Sequence, residues 1–367
     1  MPRPARSRNA ALPSRPRYCT DALPLAAPDA FQSALHRAVP YRAPWWLRGG
    51  HAQTVYGALL ASAGPAPSYE RRRWETPDGD FIDVDRLGRL PATPRAGRSP
   101  APVIVLFHGL EGSSGSHYAR ALAWAVEREG WRLAVPHFRG CSGEANRLAR
   151  AYHSGDSDEI EWLLERFATE AQGGPLVAVG ISLGGNALLK WLGIAGESAR
   201  ALVHCAISVS APLDLMVAGD QLGRGFNRVY SNMFLRTLKR KAAQKSARFP
   251  GRFDARAARR SRSLREFDEC VTAPLHGFQG TDDYWTRSSA RPWLAHVRVP
   301  TLVLNARNDP FMPATALPAQ DEVSSCVELE FPAEGGHVGF VSGPFPGNFD
   351  WFGERIISFV RERLALA

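Results

Sequence analysis

At 367 residues, with 44% hydrophobic and 22% charged residues, the chain has material for one large domain with an insertion or for two smaller ones. No apolar run reaches the ~18 residues of a spanning helix, and the five cysteines form no C-x-x-C pair and no metal-ligand spacing. The net charge of +9 comes from two segments: five arginines in residues 1–17, and twelve Lys or Arg against Asp254 alone in residues 236–265. The odd, widely spaced cysteines (Cys19, Cys141, Cys205, Cys270, Cys326) read as free thiols in a reducing compartment, so a cytoplasmic location is expected. No metal and no cofactor is expected.

Residues 1–40 read as a disordered basic tail. Their apolar stretch, 22–27, is short, is broken by Pro24 and lies between Asp21 and Asp29, so it is no signal-peptide core. The next cluster, Pro44-Trp45-Trp46-Leu47 followed by His51-Ala52-Gln53-Thr54, reads as an arm packed over a sheet, with ligand binding as the weaker alternative. Residues 69–74 and 81–85, joined by Thr76-Pro77-Asp78-Gly79, predict a hairpin. Residues 90–101 are a Pro/Gly/Ala linker.

An alternating pattern follows. Strands are predicted at 103–107, 131–135, 176–179, 202–209, 302–304 and 327–331, and helices at 118–129, 157–169 and 351–366. Short apolar strands between helices imply a mostly parallel, doubly wound sheet covered on both faces. From about 212 to 299 the alternation stops, and the composition is cationic and helical. This predicts a core in two parts, 41–211 and 300–367, separated by a helical cap insertion at 212–299 over the strand ends, where such sheets bind ligands.

The chemistry centres on Gly180-Ile181-Ser182-Leu183-Gly184-Gly185, set between a strand and a helix. Glycines two residues either side of a serine allow a turn so tight that larger side chains would collide, leaving the hydroxyl exposed as a nucleophile. A serine hydroxyl needs a base, and the base needs an orienting acid. His337, in the glycine-rich loop Glu334-Gly335-Gly336-His337-Val338-Gly339 after the last strand, is the candidate base. Two acids end strands: Asp309 in Arg307-Asn308-Asp309-Pro310, and Asp214 in Pro212-Leu213-Asp214. Asp309 is favoured, because Asp214 has a ready role as a helix N-cap. An oxyanion hole is expected from the backbone N–H of Leu183 and of Leu110, the latter in His108-Gly109-Leu110-Glu111-Gly112. His108 itself reads as structural.

With these residues in hand, the chain resembles the YheT-like group of α/β-hydrolases over roughly residues 40–365. The resemblance rests on the Pro44–Leu47 and His51–Thr54 motifs, the His108–Gly112 and Ser182 motifs, Phe138-Arg139-Gly140-Cys141-Ser142-Gly143-Glu144 and Ala149-Arg150-Ala151-Tyr152-His153-Ser154-Gly155. It extends through Asp268…Gly277-Phe278…Asp283-Tyr284-Trp285…Asn308-Asp309. It implies the α/β-hydrolase fold and the set Ser182, Asp309 and His337. It also implies hydrolysis of short- to medium-chain acyl esters, with lipase-like and alcohol acyltransferase activities as alternatives. Trp285 departs from the tyrosine usual there. The segment 236–265 has few aromatics, so a nucleic-acid surface is poorly supported, and peripheral contact with an anionic membrane is the sharper reading.

Overall fold

Five- and six-residue apolar runs without a polar alternate can be satisfied only between two covering layers. In the computed structural model, which describes residues 39–88 and 100–365, those runs are the central strands of one eight-stranded sheet. The expected tail, 1–40, lies outside the described residues except for 39 and 40, and the linker, 90–101, except for 100 and 101; Cys19 also lies outside them. The strands are β1 (Glu70–Glu75), β2 (Phe81–Leu87), β3 (Val103–Phe107), β4 (Arg132–Pro136), β5 (Leu176–Ile181), β6 (Cys205–Val209), β7 (Thr301–Leu304) and β8 (Val327–Glu330). Their order is β1-β2-β4-β3-β5-β6-β7-β8. The β1–β2 and β2–β4 pairs are antiparallel, and every later pair is parallel.

The helices are α1 (Gly50–Leu59), α2 (His117–Arg128), α3 (Ser157–Ala171), α4 (Leu183–Ala195) and α5 (Leu215–Leu222). They continue with α6 (Arg228–Arg248), α7 (Ala255–Arg260), α8 (Leu264–Phe267), α9 (Ala273–His276), α10 (Thr281–Ser288) and α11 (Asp350–Ala365). Alternate residues of each strand feed two cores. Ile104, Leu106, Val177, Val179 and Ile207 point to the face holding α2 and α11, whereas Val103, Val105, Ala178 and Ala206 point to the face holding α3 and α4. The segment between β6 and β7 is helical and carries its own apolar cluster around Leu235, Phe267 and Val271.

The hairpin edge is closed by charge. Arg71 pairs across to Asp85 and Arg73 to Asp83, at 2.6 and 2.8 Å, each in direct register. Opposed charges on an outer strand stabilise pairing and discourage sheet extension.

Two local readings differ. Residues 202–209 are not all strand, because Leu202 and Val203 N–H groups bond Ala199 O and prolong a 3-10 turn, so β6 starts at Cys205. Helix α1 has no counterpart among the expectations. Its inward residues are Gln53, Thr54 and Gly57, which give no apolar periodicity.

Candidate active site

The turn from β5 into α4 holds Ser182 at φ 52° and ψ −119°, a backbone conformation that L-residues rarely adopt. The flanking glycines make it possible. A Cβ on Gly180 would lie 2.6 Å from Gly184 O, and one on Gly184 would lie 2.6 Å from His108 O. The strained turn therefore lifts the serine off the sheet end, and α4 begins at the next residue.

His337 follows β8 and reaches over that turn. Its Nε2 lies 3.0 Å from Ser182 Oγ, and its Nδ1 lies 2.9 Å from Asp309 Oδ2. A carboxylate only accepts, so Nδ1 carries the proton and Nε2 accepts from the serine hydroxyl. Asp309 is fully buried at the side chain, and its other oxygen accepts the Phe311 N–H at 2.7 Å. The Phe311 ring stacks on the imidazole at 4.0 Å between centroids. Asp214 stands apart from this chain, accepting the Val217 N–H at 3.1 Å as the N-cap of α5.

The loop after β3 lies against the nucleophile, since a Cβ on Gly109 would be 3.2 Å from Ser182 Cβ. Tyr118 OH accepts the Gly109 N–H and Tyr152 OH accepts the Glu111 N–H, both at 3.0 Å. Between them, the Leu110 N–H has no partner among the described residues, and neither has the Leu183 N–H in the first turn of α4. His108 is buried, with Nδ1 2.8 Å from Gly109 O and Nε2 accepting from Phe138 N at 3.0 Å. Burial drives its imidazole down to about 3, so it is neutral and structural.

Sequence reasoning missed the brace behind the histidine loop. Gln53 Oε1 accepts from Gly335 N and from Asn308 Nδ2, each at 2.9 Å, and Thr54 Oγ1 accepts the His337 N–H at 2.8 Å. Asn308 Oδ1 accepts the Gly336 N–H at 2.9 Å. The arm read as packing thus ties the acid loop to the histidine loop. Trp285, the departure noted above, donates from Nε1 to Asp268 Oδ2 at 2.9 Å under α5.

A cavity of about 480 Å³ opens on Ser182 and His337, walled by α5, α6 and the Asp268–Thr272 turn, with Leu183, Leu215, Phe234, Leu238 and Phe267 among its apolar lining. The basic segment is not a single solvated face. The half-buried Lys241 and Lys245 and the exposed Arg240 and Arg248 line this cavity, whereas the exposed Arg256, Arg259 and Arg260 do not.

A family model described as alpha/beta hydrolase fold matches residues 102–344. The chain is 40% identical to the esterase-named YheT of Escherichia coli (strain K12), over 83% of this chain and 88% of that protein. It is 29% identical to mouse phospholipase ABHD3, over 82% of this chain and 73% of that protein. Among solved structures it is similar to an esterase (EaEST) from Exiguobacterium antarcticum, with a TM-score of 0.51, 19% identity, and coverage of 80% of this chain and 100% of that one. At that identity the likeness concerns the fold alone.

Proposed function

Because the chain belongs to the α/β-hydrolase family, in the group of Escherichia coli YheT, we propose that it cleaves short- to medium-chain carboxylic esters through an acyl-enzyme on Ser182. The observation that carries this reading is the unbroken hydrogen-bond run Asp309–His337–Ser182 at the floor of an apolar cavity. Ser182 Oγ attacks the ester carbonyl while His337 Nε2 takes its proton. Asp309 holds the imidazole in the required tautomer and stabilises the imidazolium. The free N–H groups of Leu183 and Leu110 receive the developing oxyanion. His337 then protonates the departing alcohol, and water activated by the same nitrogen releases the acid. The esterase and phospholipase names of the relatives support ester chemistry, and the apolar cavity supports an acyl chain. The four described cysteines are all free, which supports a reducing, cytoplasmic site.

A fluorophosphonate probe followed by peptide mapping tests this reading. The label should sit on Ser182, and labelled protein should lose turnover of a p-nitrophenyl ester panel from acetate to dodecanoate. A label elsewhere, or a panel with no substrate, rejects it.

A second reading, peripheral contact with anionic lipid, is favoured by one surface. Phe226, Val229 and Met233 recur at i, i+3 and i+7 across the start of α6 and are 55%, 47% and 54% exposed, flanked in sequence by the exposed Arg224, Arg228 and Arg236. Exposed apolar side chains rimmed by cations suit a headgroup boundary.

A further inference from the structure

Four cations of α6 line the cavity, with Lys241 and Lys245 half-buried and Arg240 and Arg248 exposed, and their surroundings differ. Lys241 Nζ is neutralised by Glu111 Oε1 at 2.7 Å. Arg139, which also lines the cavity, is neutralised by Asp78, Asp80 and Glu159. Lys245 Nζ instead donates to two backbone carbonyls, Leu148 O at 3.2 Å and Arg150 O at 3.1 Å. Arg248 Nη1 donates to Asn146 O at 2.6 Å. Neither of these two forms an ion pair with a carboxylate among the described residues, and an ammonium has three donors, so Lys245 keeps one to offer.

The acids that share the cavity are already committed. Glu111 serves Lys241 and accepts from Tyr152 OH at 2.9 Å, and Glu144 serves Arg73 at 2.6 Å. Asp268 accepts from Thr272 Oγ1 at 2.6 Å and from Trp285 Nε1 at 2.9 Å. One end of the cavity therefore carries positive charge that no described carboxylate pairs directly, Asp80 acting on Lys245 only through space. Burial pulls the Lys245 ammonium down to about 8, which is the mark of a cation held partly out of water. Such a group is costly to keep unless something balances it.

Position gives the spacing. Glu111, the partner of Lys241, directly follows Leu110 of the oxyanion loop, and Lys245 lies one helical turn beyond Lys241, about 6 Å along the axis. On the ester-hydrolase reading above, we propose that Lys245 and Arg248 form an anion subsite, so that the preferred substrate is an ester bearing a carboxylate or phosphate a short spacer away from the scissile carbonyl. The oxygens of that group take the donor that Lys245 has left and the second arm of the Arg248 guanidinium. An apolar ester of equal length gains neither contact.

Equilibrium binding to Ser182→Ala protein tests this without turnover, so its failure is distinct from failure of the hydrolase reading. Calorimetry with the monomethyl esters of glutaric, adipic and suberic acids, against their dimethyl esters, probes an anion on the acyl side. Comparing 1-octanoylglycerol 3-phosphate with 1-octanoylglycerol probes the alcohol side. In at least one arm the anionic ligand should bind about tenfold or more tighter than its neutral control at low salt. Adding Lys245→Gln and Arg248→Gln should bring that ratio within about twofold, whereas Lys245→Arg, which keeps the charge, should preserve it. Equal binding of charged and neutral partners in both arms overturns the proposal. So does a preference that survives the double substitution.

Discussion

At the scale of single residues, the assignment turns on which carboxylate serves His337. Asp309 Oδ2 lies 2.9 Å from Nδ1, while Asp214 caps α5. An amide at position 309 could accept from the imidazole only weakly and would not stabilise the imidazolium. Asp309→Asn should therefore cut kcat on a p-nitrophenyl ester by about 10³-fold or more, whereas Asp214→Asn, which keeps a side-chain oxygen to cap α5, should leave both the melting temperature and kcat close to wild type. The reverse pattern would move the acid to the other strand. The serine, the histidine and the pair of candidate acids were legible in the sequence because each stands at a strand end in a motif with one steric purpose. Gln53 and Thr54 were not, because their task is to accept amide hydrogens from loops some 280 residues away, at |i−j| of 282 and 283. No local pattern encodes that.

Elements were legible where burial writes a simple period. The strands β3 and β5 are apolar at every position and were read within two residues of their ends. Helix α1 was invisible for the opposite reason, as its buried face is polar and small. Helix α6 shows a third case: its composition announced a basic surface, but part of that charge lines the cavity and part lies exposed outside it. The outer face carries its own prediction. Replacing Arg256, Arg259, Arg260 and Arg262, all exposed, with glutamine should reduce binding to phosphatidylserine vesicles at low salt, because each basic residue near such a surface contributes about 1 kcal/mol and salt screens it. None of the four lines the cavity, so turnover of a small soluble ester should stay within a few-fold. Collapse of that turnover with unchanged vesicle binding would contradict the interfacial reading.

For the whole molecule, the buried histidines set the behaviour in acid. Burial drives the imidazoles of His108, His153 and His276 down to about 3 and that of His117 to about 4. In the unfolded chain each takes up a proton as pH falls through about 6.5, while the native groups do not until pH 4 or below. The unfolded state then binds more protons, so stability falls as pH drops from 6.5 towards 4, by up to ~1.4 kcal/mol per pH unit for each imidazole. The melting temperature should decline steeply across that window. His276 packs on His153 at 4.6 Å between ring centroids, with a buried Nε2 that has no hydrogen-bond partner among the described residues. His276→Leu should therefore flatten the decline, and an unchanged slope would show that this ring is already solvated and charged. The charge ledger of the sequence could not reveal this, since it counts histidines without their burial.

The central claim is that Ser182 is the nucleophile of an ester hydrolase. Its most direct test is kcat of Ser182→Ala on p-nitrophenyl butyrate, measured on protein whose melting temperature stays near that of the wild type. Alanine keeps the Cβ that the strained turn already accommodates and removes only the hydroxyl that His337 addresses. Loss of about 10³-fold or more is the predicted result; turnover within a few-fold of wild type would contradict it.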